Sequence, residues 1–212
     1  YKLPGKKVSE FTLQLPFKMT PDQQDASRCI FNDMAGERPM HRLLQGDVGC
    51  GKTVVAIMAS VYAAENKLQV AFMAPTEILA DQHYKNWHET LLKYGFESGL
   101  LLGSMKKAEH KKTVENIASG RIDIVFGTHA VLSESVQFKN LGLVIIDEQH
   151  RFGVLQRGQL IGKGTRPDTL VMTATPIPRT LALTLYGDLD ITSIKSMPPG
   201  RQPIKTVWRT AN

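Results

Sequence analysis

Eight consecutive residues carry the most explicit chemistry in the chain: Gly46-Asp47-Val48-Gly49-Cys50-Gly51-Lys52-Thr53. Glycine, four residues, then Gly-Lys-Thr is the spacing of a phosphate-binding loop. Glycines at both ends and in the middle let the backbone curl so that successive N–H groups face inward, and a helix following the loop adds its positive end. Such a socket suits a triphosphate, with Lys52 reaching the β- and γ-phosphates and Thr53 holding Mg²⁺ through its hydroxyl. By this chain's own composition the pattern arises by chance in about one sequence in eighty. An apolar run before it and a helically spaced run after it (Val54, Val55, Ile57, Met58, Val61) argue further against a mere turn. A turn has no need of Lys-Thr at a helix start.

A second cluster, Asp147-Glu148-Gln149-His150, follows the apolar run Leu143–Ile146. Adjacent acids there can divide the work, Asp147 joining the Mg²⁺ shell and Glu148 polarising a water for in-line attack on the γ-phosphate. A lone Asp-Glu would read as a solvated acidic turn, so the phosphate loop is what favours the catalytic reading. His150 either relays the state of the γ-phosphate or caps the turn. A third polar cluster, Thr173-Ala174-Thr175-Pro176, follows Leu170-Val171-Met172 and could hydrogen-bond to the acidic site.

The elements that must position these clusters are legible as an alternation. Short apolar, β-rich runs (40–45, 69–74, 99–102, 122–127, 143–147 and 169–173) are separated by helix-length segments (22–36, 52–66, 77–94, 105–120 and 178–187). Crossovers of that length imply parallel strands, and a continuously apolar strand such as Leu143-Val144-Ile145-Ile146 implies helices on both faces. The expected fold class is α/β: a P-loop domain with a mostly parallel central sheet. Ligands of such sheets collect beyond the carboxyl ends of the strands, where all three clusters fall.

The chain has 212 residues, 42% hydrophobic and 22% charged, with a net charge of +6. That composition excludes disorder, collagen and a disulfide scaffold, and the length suits one domain. The basic excess fits a polyanionic partner but equally fits plain solubility. Cys29 and Cys50 form no metal or disulfide pattern, which fits a reducing compartment. No run approaches the ~20 apolar residues of a membrane helix. Residues 1–18, basic, weakly patterned and opening without Met, are expected as a lead-in from a preceding domain, with the lobe over 19–196. Three prolines within Met197–Pro203 make 197–212 a linker running into the start of a further lobe.

The order of motifs (phosphate loop, Ala74-Pro75-Thr76, Gly127-Thr128-His129, Asp147-Glu148-Gln149-His150, Thr173-Ala174-Thr175) resembles the first RecA-like lobe of superfamily 2 helicases. With Asp147–Val154, Met172–Thr180 and Pro198-Pro199-Gly200-Arg201, it looks most like the RecG family of bacterial branched-DNA helicases. The transcription-repair coupling factors share Arg151-Phe152-Gly153-Val154 but more typically carry a second Glu at the place of Gln149. A nucleotide-gated DNA-binding module is the remaining alternative.

The resemblance implies a RecA-like motor lobe that binds ATP and Mg²⁺, acts on stalled forks and Holliday junctions, and works as a monomer in the bacterial cytoplasm at the nucleoid. A wedge domain and a second RecA-like lobe, the latter supplying an arginine finger, would belong to the same parent chain, so the fragment alone is expected to be poorly active. By the same token Phe17 and Gln23 would bind the adenine. Thr20-Pro21-Asp22-Gln23 also reads as an ordinary helix start, with Thr20 as N-cap and Pro21 at the first helical position. Gln149, His150, Arg151, Thr173, Thr175 and Arg179 would couple hydrolysis to DNA movement. Pro75, Thr76, Gln82, Thr128 and His129 would contact the DNA backbone, which hydroxyls, amides and helix N-termini can grip without reading sequence. The cluster Lys106-Lys107-Ala108-Glu109-His110-Lys111-Lys112 could add backbone contacts through Lys106 and Lys107, although such runs are commonly solvated helix faces.

Overall fold

The computed structural model describes residues 5–147, 167–175 and 189–198. Its strands form one sheet in the order β3-β4-β2-β5-β6-β1-β7, with β1 His41–Gly46, β2 Gln69–Met73, β3 Ser98–Leu101, β4 Ile124–Gly127, β5 Leu141–Ile146, β6 Asp168–Thr173 and β7 Asp190–Ile194. Every pairing is parallel. Helices α1 (Lys6–Leu13), α2 (Pro21–Met34), α3 (Lys52–Glu65), α4 (Glu77–Lys93) and α5 (Lys107–Ser119) complete the described elements, with a 3₁₀ turn at His129–Leu132.

The continuous apolarity of the central strands has a direct cause. Val70, Phe72, Leu143 and Ile145 belong to one buried cluster, with α1, α2 and α3. Their chain neighbours Ala71, Met73, Val144 and Ile146 belong to a second cluster, with Ile117 of α5. Side chains alternate faces along a strand, so covering both faces removes any polar alternation. Helix α3 is buried almost all round, from Val54 to Ala64, as befits a helix that is hydrophobic on every side. Among the described residues no helix is long and apolar enough to cross a membrane.

Six strands and four helices fall where the pattern places them, within two residues at most ends; the expected helix over 178–187 lies outside the described residues. Two elements were not anticipated. Edge strand β7 pairs with β1 alone, and only its Ile194 is buried. Its inward ties are polar: Arg42 Nη1 donates to Thr192 Oγ1 at 2.7 Å and Gln45 Nε2 to Ser193 Oγ at 2.9 Å. A half-exposed strand held by side-chain hydrogen bonds carries little hydrophobic signal.

The other is α1, within the stretch expected as a lead-in. Its Val8 and Phe11, one helical turn apart, are buried in the same cluster as α2 and α3, Phe11 lying 5.4 Å edge-on from Tyr94 and 6.2 Å from Trp87. The Glu65 carboxylate at the end of α3 accepts the amides of Gly5 (3.1 Å) and Lys7 (3.0 Å), groups that a helix start leaves without internal partners. Phe11→Ala is therefore expected to destabilise the fold by about 3–5 kcal/mol. Leu13→Ala, at a side chain 83% exposed, should stay within about 0.5 kcal/mol. Urea unfolding of the two variants checks this; equal, negligible effects would show α1 to be detached.

Candidate functional site

The loop after β1 is built by close approaches that only glycine permits. A Cβ on Gly46 would lie 2.6 Å from both Cys50 Sγ and the Ile194 carbonyl of β7. Gly49 and Gly51 have φ of +83° and +91°, the left-handed region open to glycine at little cost. Cys50, fully buried, closes the turn by donating its N–H to Asp47 O at 3.1 Å, while Asp47, Val48 and Gly49 stand exposed at the rim. Gly51 caps α3, and the amides of Val54 and Val55 bond its carbonyl. The amides ahead of them lie at the helix start, where no earlier turn can accept. Lys52 is only 9% exposed and curls back, Nζ donating to Gly46 O at 2.7 Å and Asp47 O at 3.1 Å. A cation, a helix terminus and a glycine curl meet in one loop, and an oxyanion is what such a set fits.

Gln23 joins this loop to the start of α2. Its Oε1 accepts Thr20 N at 2.9 Å while Thr20 Oγ1 accepts Gln23 N at 3.3 Å, a reciprocal cap, and its Nε2 donates to Cys50 O at 2.7 Å. The helix-start reading of Thr20-Pro21-Asp22-Gln23 is realised, and the same side chain also sits against the phosphate loop. Phe17, 41% exposed, lies on the segment leading into α2. Next to Gln23, Asp22 Oδ2 accepts the backbone N–H groups of Lys195 and Ser196, both at 2.8 Å. Those bonds, from Ser196 first and then Lys195, hold its carboxyl below the ordinary aspartate range.

The sheet order sets Asp147 one strand away from the loop, since β6 lies between β5 and β1. Asp147 follows β5, its N–H on Met73 O at 2.8 Å and its Oδ2 3.1 Å from Nε2 of His83 on α4. Beyond β6, Thr173 and Thr175 form a turn of their own, with hydroxyls 3.0 Å apart and Thr175 N donating to Thr173 Oγ1 at 3.2 Å. Glu148, Gln149, His150, Arg151 and Arg179 lie outside the described residues. Among the described residues no cluster of three or more His, Cys, Asp or Glu is grouped to hold a metal; an ion held by only one or two side chains completes its shell with phosphate oxygens and water. That is the usual economy of Mg²⁺ with nucleotides.

Of the residues expected at a DNA backbone, Thr76 caps α4, its Oγ1 accepting Leu79 N at 3.3 Å. Pro75 is half-buried and Gln82 exposed. Thr128 is buried, with no partner for its hydroxyl among the described residues, whereas His129 beside it is exposed; the hydroxyl expected at a surface points inward. Lys106 and Lys107 are exposed at the start of α5. The turn leading to them is tied to α4 by Glu77, which accepts from Ser104 Oγ at 2.5 Å and Ser104 N at 3.0 Å. The Ser104 hydroxyl and then its amide hold the Glu77 carboxyl below the usual range. His83, Asp22 and Glu77 escaped the sequence reading because their partners are 64, 173 and 27 residues away.

Comparisons with known proteins agree with this geometry. A family model described as DEAD/DEAH box helicase matches residues 20–184. The chain is 54% identical over 206 residues to "ATP-dependent DNA helicase RecG" of Thermotoga maritima, covering 97% of this chain and 26% of that protein. It is 53% identical over 212 residues to the protein of the same name from Aquifex aeolicus, covering 97% and 27%. It thus spans about a quarter of the length of these relatives. A solved structure, "Structure of RecG bound to three-way DNA junction", superposes with a TM-score of 0.84 at 51% identity, covering 96% of this chain and 27% of that one. "Crystal Structure of DUF1998 helicase MrfA bound to DNA" shares the fold, with a TM-score of 0.70 at 17% identity, covering 91% and 30%.

The two depressed carboxyls give a pH prediction. Each has a folded value below its unfolded one, so its stabilisation is complete above the ordinary carboxylate range, near pH 4, and is lost as pH falls through the depressed value. Asp22→Asn and Glu77→Gln should each be less stable than the parent at pH 7, with the gap closing toward pH 2. Urea titrations across that interval check the convergence.

Proposed function

The chain belongs to the DEAD/DEAH box helicase family, and from that premise we propose that it is the first, nucleotide-binding motor lobe of an ATP-dependent helicase of the RecG kind, acting on branched DNA. The observation that carries the reading is the neighbourhood of three strand ends: the glycine loop after β1, the Thr173–Thr175 turn after β6 and Asp147 after β5 open side by side at one edge of the sheet. The names of the relatives supply the rest: an ATP-dependent DNA helicase, and a structure bound to a three-way junction. On this reading α1 and residues up to 196 form the lobe, and 197–212 lead as a linker into a second RecA-like lobe. A wedge domain would complete the parent chain, which works as a monomer at the bacterial nucleoid.

The residues divide the work as follows. Lys52 Nζ exchanges the carbonyls of Gly46 and Asp47 for phosphate oxygens, and the loop from Gly46 to Thr53 holds the β- and γ-phosphates on backbone N–H groups. Gln23 and Phe17 take the base. Thr53 and Asp147 would hold Mg²⁺, which would supply charge neutralisation at the phosphates. Glu148 accepts a proton from the attacking water. Gln149, His150, Arg151, Thr173, Thr175 and Arg179 report the state of the site. Pro75, Thr76, Gln82, His129, Lys106 and Lys107 grip the DNA backbone, while the Thr128 carbonyl accepts the Val131 amide in the turn that carries His129.

Glu148→Gln in the full-length protein tests the assignment, because a general base contributes about 10²–10⁴ in rate. DNA-stimulated ATP hydrolysis should fall by that order while ATP binding persists, whereas a binding module would change in neither. The 212-residue chain alone should hydrolyse ATP slowly, since an arginine finger supplied in trans contributes about 10³–10⁵. Rapid DNA-stimulated turnover by the isolated chain would overturn the lobe assignment.

A further inference from the structure

His83 has no part in the roles just assigned. It lies on the second turn of α4, one position after Gln82; neighbouring helix positions point about 100° apart, and here Gln82 is exposed while His83 turns inward. Its ring packs on Phe72 of β2 with centroids 5.0 Å apart, and Nε2 lies 3.1 Å from Asp147 Oδ2. A carboxylate only accepts, so Nε2 carries the proton. The side chains are 12% and 14% exposed, unlike a solvent-facing pair such as Lys85 with Asp81 on the same helix, where screening leaves little net effect.

The two ties on Asp147 come from different elements. Its amide is fixed to β2 through Met73 O, and its Oδ2 to α4 through His83. An octahedral ion with phosphate and water in its shell takes a single oxygen from a carboxylate, so Asp147 held at Oδ2 has Oδ1 for that use. Hydrogen-bond partners that orient metal-binding carboxylates are worth about 10–100-fold in metal affinity or activity. Helix α4 also carries Thr76 and Gln82, with Thr76 about 10 Å along the axis from His83 at 1.5 Å per residue. Its first turn is held by the Thr76 cap and by the Glu77–Ser104 bonds.

We propose that His83 is a positioning residue for Asp147: it sets the carboxylate so that Oδ1 faces the divalent cation, and it transmits a shift of α4 on DNA engagement to the metal site. This rests on the motor-lobe reading above, with Asp147 in the Mg²⁺ shell.

The test uses the full-length protein with His83→Leu, which removes the donor at similar volume, and His83→Gln, which returns an N–H at similar reach. Two quantities are read: the Mg²⁺ concentration for half-maximal binding of a fluorescent ATP analogue, and the ratio of ATPase rates with and without forked DNA. His83→Leu should raise the Mg²⁺ midpoint about 10–100-fold and reduce the DNA stimulation ratio, while His83→Gln should return both to within about threefold of the parent. A folded His83→Leu protein with the parental midpoint and ratio overturns the proposal. So does equal impairment of Leu and Gln variants accompanied by a lowered melting temperature, the signature of packing alone. Should His83→Leu fail to fold, His83→Asn, whose amide is too short to reach Oδ2, takes its place under the same expectations. A parent protein without Mg²⁺-dependent, DNA-stimulated hydrolysis would instead refute the motor-lobe reading, whatever the His83 variants do.

Discussion

A parallel strand cannot return to its neighbour through a hairpin, so every connection in this sheet must travel the length of the molecule before the next strand starts. All carboxyl ends therefore open on one edge, and whatever follows them is gathered there regardless of its separation in sequence. The phosphate loop, Asp147 and the Thr173–Thr175 turn are brought together by that rule. The order of strands refines it: with β6 between β5 and β1, the turn bearing two threonines stands between the acid and the loop. Burial of both faces makes the arrangement stiff, because each central strand sends alternate side chains into two separate apolar layers. A slip of one residue would exchange those layers.

Polar bonds then fasten the places where the apolar layers end. Asp168 Oδ1 accepts Met40 N at 2.6 Å and so ties β6 to the residue ahead of β1. Gln69, buried at the head of β2, donates to the carbonyls of Ile117 and Ile122 and accepts from Asn140 N, joining three connections that are remote in sequence. Around the site the same device recurs with a directional consequence. Cys50 O is held by Gln23, Gln23 forms the reciprocal cap with Thr20, and the adjacent Asp22 holds the backbone at 195–196. A movement of the loop carbonyl must therefore be absorbed by the start of α2 or passed to the segment after β7.

The contrast between what the sequence disclosed and what it hid follows from these two kinds of bond. Strands with two buried faces and helices with repeated apolar positions announce themselves by composition and period, and the glycine loop announces itself by steric requirement; hence six strands, helices α2 to α5 and Gly46–Thr53 were legible. Helix α1 was not, because two inward residues in eight, Val8 and Phe11, make too short a stripe against a basic background. Edge strand β7 was not, because only Ile194 among its five residues is buried, and the polar Thr192 and Ser193 interrupt the apolar run. His83, Asp22 and Glu77 were invisible for a stronger reason. Each acts through a single partner chosen by the fold, and no local pattern encodes such a pairing. Thr128 shows the converse: the family resemblance implied a hydroxyl turned to the DNA backbone, but a fully buried β4 followed by an inward-packed Val131 carries the side chain inside.

Lys52 shows how the resting geometry bears on nucleotide affinity. Its ammonium already has two good acceptors, Gly46 O and Asp47 O, and it is nearly buried, so binding a phosphate exchanges bonds rather than creating them. A hydrogen bond with one charged partner already contributes about 1.5–3 kcal/mol, against roughly 1 kcal/mol for a neutral pair. The carbonyls are therefore strong acceptors for this ammonium, and the exchange is favourable only by what the phosphate's own charge adds. Amides at the start of α3 lack internal acceptors and would gain a bond to a phosphate outright. Affinity at the proposed site would then rest on the backbone that the glycines shape more than on its one cation.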